Sequence, residues 1–266
     1  MSETIVYDGE SLIYNLSLLN KKAIAFDTET TSLRQDELEI TGISFSDGEH
    51  SFYAPIVSSL TPKECNVKIT PIKLQIILNN YFSNKDLLII AHNWVFDARV
   101  LAKIGVDISS HKCFDTMVAD HLIDENRAHG LKYLVTNILG MPVVKYDEVG
   151  DNHYNEEFYK YGLADALNTY LLYTEYNPIM REQFNNLFFN IEMNYQKVLL
   201  EMALEGVLID NDYVNKATKE LNKELNEALF QLCRLGNVKY EVLNDDIGTI
   251  VPYTESWVTF KRKPFE

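Results

Sequence analysis

Two short segments, almost entirely apolar and followed by polar and acidic side chains, constrain the fold of this chain most strongly. The first is 22–27 and the second is 87–91. Apolar runs of this length without polar alternation are typical of strands that are covered on both faces, as the central strands of α/β sheets are. Two further strands are predicted at 40–46 and 51–56, joined by a turn. The sequence therefore predicts a sheet with buried central strands.

Helical patterns alternate with strands in the first two thirds of the chain. The predicted helices lie at 71–82, 96–104, 114–123, 130–139 and 155–176. Gly105 and Pro178 are expected to end the second and the last of them. Strands first, followed by alternating strands and helices, predict an α/β fold in which helices flank a mixed sheet.

Beyond Pro178 the pattern indicates helices only. Apolar side chains recur at spacings of three and four, which is typical of amphipathic helices. The longer of two such stripes consists of Val214, Ala217, Leu221, Leu225, Ala228 and Leu232. We therefore predict two parts, an α/β domain at 1–180 and a small helical region at 181–266.

Charge and cysteine content restrict the partners and the compartment. The chain has 24 basic and 39 acidic residues and a net charge of −15. Nonspecific binding of nucleic acid requires Lys and Arg, so a polyanionic substrate would need divalent cations or a local basic surface. The three cysteines are widely separated, which argues against a disulfide framework or a zinc cluster. We expect a cytoplasmic protein, because neither a signal peptide nor a membrane-spanning segment is apparent.

Asp27 and Glu29 directly follow the apolar residues 23–26 of the first buried strand. In a strand, side chains alternate, so both carboxylates project to one face while Thr28 points to the other. Two close carboxylates repel each other, and burial favours protonation of one of them. A divalent cation removes this conflict, and Mg²⁺ prefers a few carboxylates together with water. The alternative is a strand end with two solvated acids.

Two further acidic positions, Asp97 and Asp165, follow Asp27 and Glu29 along the chain. Asp97 follows the second buried strand, where polar groups gather beyond the strand ends of α/β sheets. A favourable interaction with the helix dipole is the alternative explanation for this acid. Tyr161 and Asp165 are four residues apart, which places both on one helical face. An exposed helix face is the alternative in this second case.

Together, three motifs resemble those of the 3′→5′ exonucleases that use Asp, Glu, Asp, Asp and Tyr. They are Asp27-x-Glu29, Asn93-x-x-Phe96-Asp97 and Tyr161-x-x-x-Asp165. The segment 26–33 resembles in particular the proofreading domain of family A DNA polymerases, as do 114–117 and 130–134. The resemblance covers roughly residues 20–180.

This resemblance implies a ribonuclease H-like fold and a site for two divalent metal ions, Mg²⁺ or Mn²⁺. It assigns Asp27, Glu29 and Asp165 to the first ion. It assigns Asp27 to the second ion as well, with Asp97 helping to hold it through water. Tyr161 would orient the attacking water. The implied activity is hydrolysis of DNA 3′ ends to nucleoside monophosphates.

The resemblance also implies residues that contact the substrate, a single-stranded or frayed 3′ end of DNA. These are Thr30, Leu33, His92, Asn93 and Tyr146. Leu33 and Tyr146 would pack against terminal bases, as apolar and aromatic groups do in single-strand binding. Leu33 could instead anchor a loop, and Tyr146 could be an ordinary surface aromatic. For His92 we favour a helix cap over a phosphate contact.

The resemblance continues past the predicted boundary. Residues 193–210 are similar to the segment that opens the polymerase thumb, whereas the sequence contains no polymerase active-site motifs. No polymerase activity is expected, and a separately encoded polymerase domain is a candidate partner. Two alternatives stay open, an exoribonuclease similar to ribonuclease D and a non-catalytic accessory subunit that docks on a polymerase.

Overall fold

A six-stranded mixed sheet is the centre of the fold in the computed structural model, which describes residues 2–20, 22–34, 36–144, 146–236, 239–242 and 250–253. The strands are β1 (Ser2–Ile5), β2 (Ala23–Thr30), β3 (Ile40–Ser46), β4 (His50–Pro55), β5 (Leu88–Ala91) and β6 (Lys112–Asp115). They lie in the order β1-β4-β3-β2-β5-β6. β3 is antiparallel to both β2 and β4, and the other neighbours are parallel. The predicted mixed α/β sheet is confirmed.

β2 extends past the apolar run that predicted it. Asp27 and Glu29 still pair with β3, opposite Ser44 and Gly42 respectively, so the strand continues through its acidic end. β1 and β6 were not predicted. At 114–115 the predicted helix is wrong, because these residues pair with β5 as the end of β6.

Helices pack on the sheet. They are α1 (Gly9–Leu18), α2 (Pro71–Tyr81), α3 (Trp94–Lys103), α4 (Thr116–Ile123), α5 (Leu131–Asn137), α6 (Tyr146–Val149) and α7 (Glu156–Gln183). A π-helix (Asn186–Glu192) and α8 (Met193–Glu205) follow. The core lies between the sheet and these helices and contains fully buried Phe26, Phe45, Trp94 and Phe114. Gly105 has the positive φ of 80° that ends α3 as predicted.

The long helix α7 does not end before Pro178 as predicted but continues to Gln183. A proline inside a helix removes one backbone hydrogen bond and crowds the preceding turn. Here Tyr176 and Met180, on either side of the proline, are both buried in the core. We attribute the continuation of the helix to this packing, which offsets the lost hydrogen bond.

The chain divides into two compact units, Met1–Glu205 and Gly206–Glu266. In the second unit, α9 (Asn211–Gly236) is followed by the antiparallel pair β7 (Lys239–Val242) and β8 (Ile250–Tyr253). This pair differs from the prediction of helices only. The polar and apolar side chains of β7 alternate, but a run of four residues is too short to predict a strand from its pattern alone. The predicted domain boundary near 180 stays a prediction. A boundary between compact units need not coincide with the boundary of a family domain. Within the described residues, no helix combines the length and apolarity needed to span a membrane.

Candidate active site

Three carboxylates that are distant in sequence lie together at one edge of the sheet. Asp27 and Glu29 come from the carboxyl end of β2, and Asp165 comes from α7. One oxygen of each lies within 4.8 Å of one oxygen of each of the others. The period of two along β2 puts the first two on the same face, as predicted. The close approach of α7 adds the third.

Gly162 makes this approach of α7 possible. A Cβ atom at this position would lie 2.6 Å from Cε2 of Tyr53 and 3.2 Å from Oε1 of Glu29. Tyr53 is fully buried beneath the helix. Any side chain larger than hydrogen would therefore push the helix that carries Asp165 away from β2.

Asp97 lies in the first turn of α3 and is 2% exposed. Its Oδ1 accepts hydrogen bonds from the backbone N–H of Thr28, at 3.0 Å, and from the Thr28 hydroxyl, at 2.6 Å. Thr28 lies between Asp27 and Glu29 in β2, so these hydrogen bonds connect α3 to the centre of the site. Asp97 is not one of the three mutually close carboxylates, but its charge acts on Asp27.

The start of α3 is fixed by Asp115 at the end of β6. Its carboxylate accepts hydrogen bonds from the backbone N–H groups of Asn93, at 3.1 Å, and Trp94, at 2.8 Å. It also accepts from the backbone of Met117 at the start of α4. The favoured role of His92 as the cap of α3 is therefore wrong, because Asp115 provides this cap.

The clustered acids have strongly perturbed proton affinities. Burial is the main cause and raises the pKa of all four carboxyl groups. Burial raises the pKa of Glu29 to about 8, Asp165 adds to this rise, and Lys132 opposes it. Burial raises the pKa of Asp97 to about 7, although the hydrogen bonds from Thr28 oppose it. Without added positive charge, these carboxyls resist being ionised together.

Lys132 is the main site residue that sequence reasoning missed. Its Nζ forms an ion pair with Asp165 and lies 3.9 Å from the ring centroid of Tyr161. The segment 130–134 contributed to the family resemblance, but nothing in the sequence assigned a role to this lysine. A single lysine on a short helix gives no local signal, because its proximity to the acids arises only from folding.

Tyr161 lies one helical turn before Asp165 on α7, and the two side chains interact electrostatically. Burial, with the nearby charges of Asp165 and Glu29, raises the pKa of its phenol. The ring of Tyr146 lies 6.3 Å from that of Tyr161, centroid to centroid. Tyr146 is 41% exposed, and its hydroxyl donates to Asp151. The structure thus brings both predicted tyrosines to the carboxylate site.

The remaining predicted substrate residues have different surroundings. Leu33 is 84% exposed, in the loop after β2. The hydroxyl of Thr30 donates to the backbone oxygen of Ser32. Asn93 is exposed and has a left-handed backbone with φ of 67°. Nδ1 of His92 lies 2.9 Å from the Thr116 hydroxyl, and burial lowers the pKa of the imidazole to about 4, so the ring is neutral.

The donor set fits a hard divalent cation. Asp27, Glu29 and Asp165 each direct one carboxylate oxygen into the same small space. Oxygen ligands of this kind suit Mg²⁺ and Mn²⁺, whereas softer metals prefer sulfur and imidazole. Burial, the main cause of the raised pKa values of these groups, disfavours their ionised forms, and a bound cation would offset this cost.

Comparisons with known proteins agree with this geometry. Residues 5–181 match a family model of the DNA polymerase A type described as a 3′-5′ exonuclease. The DNA polymerase I of Borreliella burgdorferi is 35% identical over 208 residues, which is 74% of this chain and 22% of that protein. The chain thus spans less than a quarter of the length of this relative.

Solved structures of nucleases share the fold. Brucella melitensis NrnC has a TM-score of 0.61 at 19% identity, over 77% of this chain and 95% of its own. It has also been solved with bound Mg²⁺ and bound to pGG. Escherichia coli RNase D, an exoribonuclease, has a TM-score of 0.55 at 18% identity, over 78% of this chain and 52% of its own. From its sequence match over 5–181, the chain belongs to the 3′-5′ exonuclease family of the DNA polymerase A type.

Proposed function

We propose that this chain hydrolyses DNA from the 3′ end and releases nucleoside monophosphates, with Asp27, Glu29, Asp97 and Asp165 as the ligands of two divalent metal ions. The observation that carries the proposal is the convergence of three distant carboxylates within 4.8 Å of one another. Bound there, two Mg²⁺ or Mn²⁺ ions would supply positive charge for the attacking and leaving oxygens of a phosphodiester. Asp27, Glu29 and Asp165 would hold one ion, and Asp27 would also help to hold the second, with Asp97 assisting through water.

Tyr161 orients the water that attacks the terminal phosphodiester. Its raised pKa keeps the phenol protonated near neutral pH, so it acts as a hydrogen-bond partner and not as a general base. Lys132 makes a cation–π contact with the ring, and Asp165 interacts electrostatically with the phenol. The geometry thus favours a fixed position for this hydroxyl.

Residues around the acids hold the strand. Leu33 and Tyr146 present exposed apolar and aromatic surface, which suits packing against the last bases. Asn93, which is exposed at the start of α3, and Thr30 are proposed to hydrogen-bond the terminal nucleotides. His92 is assigned no phosphate contact, because its imidazole is neutral and its Nδ1 lies beside the Thr116 hydroxyl.

DNA is the proposed substrate because the family and the sequence relatives are of the DNA polymerase type. By the same argument, we propose a proofreading role beside a polymerase domain, in the same or a separate chain. The fold shared with ribonucleases makes RNA hydrolysis the second candidate. RNA hydrolysis would use the same carboxylate site and would differ only in the sugar of the substrate, ribose in place of deoxyribose.

The test compares DNA and RNA oligonucleotides of one sequence, each labelled at the 5′ end, in Mg²⁺ or Mn²⁺. We expect stepwise shortening of DNA from the 3′ end and its abolition by EDTA. Asp27→Ala and Asp165→Ala should each reduce turnover at least about a thousandfold, because ligand loss removes the charge that stabilises the transition state. Glu64→Ala, which removes an exposed carboxylate outside the cluster, is the matched control.

Several outcomes would contradict the proposal. Wild-type turnover in either Asp variant would refute the metal assignment. Faster shortening of RNA than of DNA would replace the proposed substrate with the second candidate. Binding of a polymerase without any metal-dependent hydrolysis would favour the non-catalytic accessory role.

A further inference from the structure

A basic cavity of about 680 Å³ lies at the edge of the sheet opposite the carboxylate cluster. Lys22 directly precedes β2, and Lys112 begins β6. The register pairs Ala23 with Leu88 and Leu88 with Lys112, so these strand starts lie side by side. Along β2, five residues separate Lys22 from Asp27, which corresponds to about 17 Å. The cavity is therefore separate from the nuclease site.

The charge of this cavity is opposite to that of the chain. Among the residues that the structure describes, four cationic side chains and one acidic side chain, that of Asp86, line it. The cations are Lys22, Lys112, Arg181 and Lys197. In the described parts of the chain none of the four forms an ion pair with a carboxylate. In a protein with 39 acidic residues and 24 basic ones, four unpaired cations around one cavity favour an anionic ligand.

The opposite wall of the cavity comes from an unusual stretch of helix. The seven-residue π-helix at Asn186–Glu192 joins α7 to α8. Extended π-helices are rare, and they occur frequently at functional sites. Three amides line the cavity here, those of Asn190 in the π-helix, Asn185 just before it and Asn194 in α8. Nδ2 of Asn190 donates to Asn186 and Nδ2 of Asn194 donates to the backbone oxygen of Asn190. Amide side chains both donate and accept hydrogen bonds, as the edge of a nucleobase does.

Two half-buried aromatic rings complete the lining, those of Tyr173 and Phe189. The guanidinium of Arg181 lies 5.2 Å from the ring centroid of Phe189. Its Nε donates to Asn177, which leaves its other N–H groups for a ligand. Cationic forks bind phosphate, and aromatic faces stack on bases, so one cavity offers partners for both halves of a nucleotide.

We propose that this cavity is a second, non-catalytic binding site for a nucleoside polyphosphate. The four cations bind the phosphates, and the rings of Tyr173 and Phe189 with the neighbouring amides hold the base. The volume lies within the range of small-molecule sites. The excess of cations over acids favours a chain of phosphates over a single one.

The experiment uses the full chain with Asp27→Ala and Asp165→Ala, in EDTA, so that the carboxylate site binds no metal-held phosphate. Titration calorimetry measures ATP and inorganic tripolyphosphate at low ionic strength. We expect one site per chain, with ATP bound more tightly than tripolyphosphate. Arg181→Gln with Lys197→Gln should weaken ATP binding about tenfold or more, because two charge-assisted hydrogen-bonding groups are lost.

Further variants distinguish the effect of the cavity on ATP binding from the effects of total charge and of misfolding. Lys63→Gln with Lys68→Gln removes the same charge at exposed positions and should change ATP affinity less than about twofold. Tyr173→Leu should weaken ATP but not tripolyphosphate, because only ATP has a base to stack. Melting curves confirm that each variant is folded. Lys22→Gln with Lys112→Gln repeats the test from the strand side of the cavity.

The proposal is overturned if ATP does not bind, or if the control pair weakens it as much as the cavity pair does. ATP affinity no greater than that of tripolyphosphate would overturn the nucleotide assignment. The nucleotide assignment would also be wrong if binding of a DNA oligonucleotide depended on Arg181 and Lys197 while binding of ATP did not. The result is independent of the proposed nuclease activity, which we expect to persist when these two residues are changed in the otherwise native chain.

Discussion

Lys132 illustrates how a single residue can stabilise a site that is otherwise unfavourable. The carboxylates of Asp27, Glu29 and Asp165 are close together and largely shielded from water, which raises the free energy of their ionised forms. The ion pair of Lys132 with Asp165 offsets part of this cost in the metal-free protein. In the proposed function a metal ion also binds Asp165, so the ammonium group and the metal ion would compete for the same carboxylate.

Replacing Lys132 with Met tests this competition at the residue scale. We expect Lys132→Met to lower the stability of the metal-free protein by about 1–3 kcal/mol, because one partner of a shielded ion pair is lost. Mn²⁺ should bind more tightly than to the wild type. Denaturant unfolding in EDTA and Mn²⁺ titration followed by electron paramagnetic resonance measure the two effects. Lys68→Met is the control, and weaker Mn²⁺ binding in Lys132→Met would contradict the competition.

The raised pKa values predict how the metal-free protein responds to pH. Glu29 shifts from an ordinary value of 4.5 to about 8, and Asp97 from 3.8 to about 7. Between these limits Glu29 and Asp97 bind more protons in the folded state than in the unfolded state, so their contribution to stability falls as pH rises. His92, whose pKa burial lowers from 6.5 to about 4, opposes part of this fall below about pH 6.5. We expect the melting temperature in EDTA to decrease from pH 4.5 to 8, with a shallower decrease in Glu29→Gln. Saturating Mg²⁺ should remove the trend, and a rising curve in EDTA would contradict it.

At the element scale, the sequence predicted the strands that have a local apolar pattern and missed the strands that form only by pairing with a neighbour. The apolar strands at 22–27 and 87–91 were found because burial on both faces leaves a direct composition signal. β1 and β6, of four residues each, have no such signal and are strands because they pair with neighbours. Likewise, Asp27 and Glu29 were placed on one face by the strand period, whereas the contact of Lys132 with Asp165 depends on how helices pack.

The approach of α7 to β2 gives a prediction at the element scale. Gly162→Ala should reduce turnover about tenfold or more and lower the free energy of unfolding by about 1–3 kcal/mol. The reason is that the added Cβ atom would clash with Tyr53 and Glu29 and displace the helix that carries Asp165. Steady-state kinetics and thermal melting measure these effects. Gly130→Ala is the control, since a Cβ atom there has no heavy atom within 4 Å. Equal effects of both changes would contradict the packing argument.

At the scale of the whole molecule, an acidic protein is proposed to act on a polyanion. A net charge of −15 opposes association with DNA at long range, but salt screens this repulsion beyond about 10 Å. In the proposed function the scissile phosphate binds beside the clustered carboxylates, so these would lie much closer to it than most surface acids. We therefore expect local charge, not total charge, to limit binding in the absence of metal.

Single-stranded DNA binding in EDTA distinguishes local from total charge. Asp27→Asn with Asp165→Asn removes two carboxyl groups whose raised pKa values require a pH above those values for full ionisation, so the measurement is made at such a pH. Each ionised carboxylate is then worth about 1 kcal/mol against a phosphate about 4 Å away even at the dielectric constant of water. We expect this variant to bind a labelled oligonucleotide about tenfold or more tightly than the wild type, as measured by fluorescence anisotropy. Added KCl should narrow the difference because it screens the repulsion.

The matched control changes the total charge equally at exposed positions, through Glu64→Gln with Glu125→Gln. If total charge governed binding, this pair would gain as much affinity as the site pair, and the local explanation would be wrong. A gain confined to the site pair means instead that the cluster itself repels the 3′ end. In that case the same acids that make a metal-free protein a poor DNA binder make divalent metal a condition for holding the substrate as well as for cutting it.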